Sequence, residues 1–172
     1  MKNTMMMKWV LMAVAVFVVG CQYDYPLVDK SVKPIDKSLL GVWESVPDEG
    51  ETNSVINRAL VLRFSDNEYL IQYPVKEKDS LFFRAYLIDI GGLSCLQVQV
   101  LGTDKGPVEA ADDTFDVVSY KPEGAWLEVG VLNPQVVDKN AASTDALVKL
   151  FMKGKASPAL FTPHATFRKV DP

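Results

Sequence analysis

Two cysteines and a single histidine in 172 residues leave little material for metal or nucleophilic chemistry. Cysteine this sparse excludes a disulfide-stapled scaffold, and any Ser-His-Asp or Cys-His mechanism would have to use His164. No Gly-x-Ser-x-Gly turn or phosphate-cradling glycine loop accompanies it, so His164 reads as structural. Basic excess is also missing. Eighteen Lys and Arg against 22 Asp and Glu give a net charge of −4, which offers no electrostatic footprint for a nucleic acid. The acidic stretch 104–116, with Glu109, Asp112 and Asp113, lacks the alternating oxygen ligands and glycine of a calcium loop and reads as a solvated connection. What the chain does have is 48% hydrophobic and 23% charged residues, the composition of an ordinary globular domain. No catalytic residue, metal or cofactor is expected, and the chain reads as non-enzymatic.

The first 21 residues are MKNTMMMKWVLMAVAVFVVGC. Lys2 and Lys8 precede an apolar run from Trp9 to Val19, too short for the ~20 residues of a spanning helix and matched to an export signal. Its end, Val18-Val19-Gly20-Cys21, resembles the lipobox of bacterial lipoproteins. That resemblance implies a diacylglycerol on the Cys21 thiol, cleavage before it and acylation of the new amino group. Such a chain stays in its leaflet, and Gln22, rather than Asp, after the cysteine implies the periplasmic face of the outer membrane. Loss of residues 1–20 removes Lys2 and Lys8 and no acid, leaving 16 basic against 22 acidic residues. Cys95 is then the one thiol without lipid and reads as a small buried hydrophobe.

Residues 21–38 mix Pro26, Pro34 and alternating charges without a sustained period, the pattern of a lipidated tether. Its 17 residues after Cys21 could hold a domain up to about 55 Å from the lipid. The folded domain is expected over 39–172. Short β-branched and aromatic runs predict strands at 41–46, 58–64, 67–73, 81–90, 93–101, 114–121, 125–132 and 165–170. Turn residues join them, among them Ser65-Asp66-Asn67, Gly91-Gly92 and Pro122-Glu123-Gly124. Sequential hairpins imply an antiparallel meander. One helix is expected over 144–153, with Ser143 as N-cap, Gly154 as the stop, and Leu147, Leu150 and Phe151 on one face.

A two-residue Gly91-Gly92 loop sets the register of its hairpin: Ile88 opposite Cys95, Leu87 opposite Leu96, Tyr86 opposite Gln97, Ala85 opposite Val98. One face is wholly apolar, and the other turns polar at Arg84, Tyr86, Gln97 and Gln99. This suits a barrel or a strongly curved sheet.

Leu40-Gly41-Val42-Trp43 resembles the Gly-x-Trp opening of the lipocalin and calycin barrels, and the order of strands, one helix and a last strand is similar to theirs. The chain is also similar to small envelope lipoproteins with a Trp-led β domain. The resemblance implies a lipocalin-like barrel of about eight strands in which Gly41 turns the chain into the first strand. Trp43 would plug the closed end, and a basic residue, Arg168, would cover it. It implies a small apolar or amphipathic ligand in the lumen, where Arg84, Tyr86, Gln97 and Gln99 are the expected polar contacts. The alternative is an envelope module that binds a partner protein with those same side chains.

Overall fold

The computed structural model describes residues 22–47, 55–76, 78–107 and 114–170. The signal and lipobox residues, Cys21 included, lie outside them, as do Glu109, Asp112 and Asp113. Strands β1 (Gly41–Val46), β2 (Arg58–Arg63), β3 (Tyr69–Tyr73), β4 (Leu81–Ile90) and β5 (Leu93–Thr103) form an antiparallel meander. A two-residue strand β6 (Gly106–Pro107) folds back on β5, and β7 (Phe115–Glu123) and β8 (Trp126–Leu132) follow. After helix α1 (Thr144–Gly154), strand β9 (Phe161–Val170) inserts between β8 and β1, while β4 pairs with β5. The result is a closed eight-stranded antiparallel barrel with β6 as a small spur. Among the described residues, closure leaves no long edge to pair with another chain.

The hairpin at Gly91-Gly92 has the register that the glycines dictate. Both adopt positive φ, +59° and +83°, as the favoured two-residue turn requires. The pairs Leu87–Leu96, Tyr86–Gln97 and Ala85–Val98 stand opposite one another. Strand β9 begins four residues earlier than expected, so that His164 lies within it rather than before it. Helix α1 starts where Ser143 caps it, its Oγ accepting from the Ala146 N–H at 3.2 Å. Gly154, expected as the stop, is the last helical residue. The next residue, Lys155, stays right-handed at φ −59°. Close packing accounts for the glycine, because a Cβ there would meet Val136 Cγ1 at 2.8 Å.

Apolar residues separate into two clusters on opposite sides of the barrel wall. The inner cluster holds Leu39, Trp43, Ala59, Val61, Tyr69, Ala85, Leu87 and Phe167. The outer one joins Leu147 and Phe151 of α1 to Tyr86, Ile88, Ile90, Cys95 and Val117 on the wall, with Tyr23 and Leu27 from the start of the chain. Cys95 is buried there, which pushes its thiol up to about 11.

Residues 22–38 are not the extended tether that their composition suggests. Tyr23 and Phe115 exchange both backbone hydrogen bonds, at 2.8 and 2.9 Å, and the Tyr23 hydroxyl donates to Val137 O at 3.0 Å. Leu27 and Val28 N–H groups donate to Gln97 Oε1 at 2.8 and 3.2 Å. The Val28 carbonyl accepts from Gln97 Nε2 at 3.0 Å and from the Tyr86 hydroxyl at 2.7 Å. Gln97 Nε2 also donates to the Tyr86 oxygen. All four hydrogen-bonding positions of the Gln97 carboxamide are thus used. The folded domain begins at the latched residues and not at Leu39.

Candidate functional site

Trp43 closes one end of the barrel. Its ring is 2% exposed, and Nε1 donates to Leu39 O at 2.9 Å, fixing the 3-10 turn Lys37–Leu39 beneath the strands. Tyr69 holds the same segment by accepting from the Asp36 N–H at 2.6 Å. Burial pushes its hydroxyl up to about 12. Gly41, at φ +122°, turns the chain from the 3-10 segment into β1.

The basic residue over Trp43 is Lys169, not Arg168. Lys169 Nζ stands 5.1 Å from the ring centroid and donates to Ser38 O at 2.6 Å, a cation–π contact secured by a hydrogen bond. Strand alternation decides between the two. Phe167 and Lys169 point inward, which sends Arg168 outward to Glu44 at 3.6 Å. Arg58 donates to the same carboxylate at 2.7 Å from the neighbouring strand. These two guanidinium groups, Arg58 foremost, hold Glu44 below its ordinary range.

The inner wall is the all-apolar face of the β4–β5 hairpin. Phe83, Leu96 and Val98 line a cavity of about 330 Å³ together with Val61 and Ile71 from β2 and β3, and Val118, Leu127 and Val129 from β7 and β8. That volume is at the small end of the range for small-molecule sites. The four expected contact residues lie on the other side of the wall. Tyr86 and Gln97 are buried under residues 22–28, Arg84 is ion-paired to Glu68 on the exterior, and Gln99 stands opposite Arg84. A polar hairpin face suggested a lumen because small-molecule sites carry a few polar anchors, whereas here that polarity serves to bind the start of the chain.

Polar side chains do reach the cavity: Asp116 of β7 and Thr162 and His164 of β9, all near the strand ends opposite Trp43. Thr162 is also solvent-exposed, so the cavity meets the surface there. Asp116 pairs with Val98 across the ladder. No hydrogen bond or ion pair reaches its carboxyl from the described residues, and burial raises it to about 6. Burial also pulls His164 below its ordinary value and lifts Tyr73, while an Asn57 hydrogen bond opposes the lift. Near pH 7.5 Asp116 is therefore the one charged group lining the cavity among the described residues. In the sequence it looked like the end of an acidic loop. In the structure it shares the inner face of β7 with Val118 and Tyr120.

Asp116 gives a prediction with a worked sign. Its folded value lies above the ordinary 3.8, so the folded chain holds the proton more tightly and stability falls as pH rises from about 4 to 6. Asp116→Asn should be more stable than the parent by about 2 to 3 kcal/mol at pH 7.5 and nearly equal at pH 4. Denaturant melts at the two pH values check this.

No family model, curated protein or solved structure matches the chain. No group of three or more His, Cys, Asp or Glu able to hold a metal occurs among the described residues. Nor is any helix among them long and apolar enough to cross a membrane.

Proposed function

We propose that the protein is a lipid-anchored envelope lipoprotein whose lipocalin-like barrel binds a small apolar or amphipathic ligand without catalysing its conversion. The observation that carries the binding reading is the unfilled interior. A barrel of eight strands has just enough room for side chains to fill, yet this one retains about 330 Å³ behind apolar walls. A module that only presented its outer surface to a partner protein would gain stability from a filled core, since internal voids cost packing energy.

The anchoring reading rests on the order of basic residues, apolar run, Gly20 and Cys21. It predicts that Cys21→Ala abolishes lipid labelling and releases the protein from the membrane fraction. A variant still labelled would end it. The binding reading is tested by titrating the 22–172 chain with N-phenyl-1-naphthylamine, a neutral apolar fluorophore. Saturable one-to-one enhancement and a raised melting temperature are expected, both lost in Val129→Trp, which fills the cavity. Absence of saturable binding would favour the protein-partner alternative.

A further inference from the structure

We propose that the cavity selects ligands bearing a protonated amine on an apolar body, with Asp116 as the group that receives the amine. This rests on the reading of the barrel as a small-molecule binder and names its ligand class. Two observations and one physical cost support it. The Asp116 carboxyl stands on the inner face of β7, across from Val98, with no cation or hydrogen-bond donor among the described residues. A carboxylate removed from water without a partner is costly, and a bound ammonium supplies the partner. The other titratable side chains lining the cavity are His164, Tyr69 and Tyr73, all neutral near pH 7.5, so none neutralises Asp116 or repels a cation.

The remaining walls select for the body of the ligand. Phe83, Val98, Val118 and Val129 offer no polar atom beyond the backbone, so an alkyl or aryl group fits there and a polyol or a second charge does not. Asp116 lies towards the end where Thr162 is exposed. The ligand therefore enters tail first, with its amine stopping near the mouth. An anionic amphiphile of the same shape meets a like charge at Asp116 and is rejected.

The test uses octylamine, octanol and octanoate, which share one tail and differ in the head, each displacing N-phenyl-1-naphthylamine from the 22–172 chain at pH 7.5. The octanol hydroxyl can also donate to the Asp116 carboxylate, but only the ammonium adds a full opposite charge, so octylamine should bind about 10-fold more tightly than octanol, with octanoate weakest. In Asp116→Asn, which keeps size and shape, octylamine should fall to within about twofold of octanol. Lowering the pH to 5 should weaken octylamine more than octanol in the unmodified protein, a readout that needs no variant. Equal binding of octylamine and octanol would overturn the amine selection while leaving the apolar site intact. An amine preference that survives in Asp116→Asn would overturn the assignment to Asp116. Failure of every probe, the fluorophore included, would remove the binding reading together with this one.

Discussion

Gln97→Asp should destabilise the domain by about 4 kcal/mol, among the largest effects of any single substitution. Gln97 is 0% exposed, and its carboxamide both accepts from the Leu27 and Val28 N–H groups and donates to Val28 O and the Tyr86 hydroxyl. Aspartate is one methylene shorter and cannot donate when ionised. The substitution therefore removes one of the two donors to the Val28 carbonyl, leaving the Tyr86 hydroxyl, and buries an uncompensated charge. Loss of the latch should also expose residues 22–28 to protease before the barrel unfolds. Denaturant melts and limited proteolysis read the two effects. A cost under 1 kcal/mol, with residues 22–28 cleaved as readily in the parent as in the variant, would mean that the outer face is hydrated and the start of the chain is not bound there.

Trp43→Ala should cost a similar amount, about 4 kcal/mol, because it leaves a large void in the inner cluster and removes the bond that holds Leu39 and the platform under Lys169. Trp126, at 45% exposed on β8, is the control, and its replacement by Ala should cost about 0.5 kcal/mol. Comparable losses from the two would contradict the assignment of Trp43 as the plug of the closed end.

Much of the barrel was legible because its turns carry strong local chemistry. Gly91-Gly92 permits one tight loop, and that loop fixes the partner of every residue in β4 as far as Phe83, where a bulge shifts the register. Ser143 sets the start of α1 by capping it. The concave side of the hairpin was not legible. Alternation separates two faces but does not label them, and here both are buried, one by the opposite wall and one by residues 22–28 and α1. Tyr86 and Gln97 look like a binding site in the sequence because their partners lie 58 and 70 residues away along the chain. Arg168 was one residue out of phase for a simpler reason. The inward direction of Phe167, an apolar residue in the same strand, determines that Lys169 and not Arg168 reaches Trp43. Asp116 was hidden by its setting, since Phe115, Val117 and Val118 make β7 apolar on both faces and leave its alternation without contrast.

The most direct measurement is methyl NMR of the 22–172 chain, labelled at Ile, Leu and Val and titrated with N-phenyl-1-naphthylamine, whose aromatic rings shift any methyl they approach. The methyls of Val61, Val98, Val118 and Val129, all lining the cavity, should move together and saturate at one equivalent. Those of Ile88, Val117 and Val137, which belong to the outer cluster, should stay in place. Movement of the outer set, or of exposed Val32 and Leu62, with the cavity methyls unchanged would show that ligand binds the outside of the barrel and would contradict an internal site.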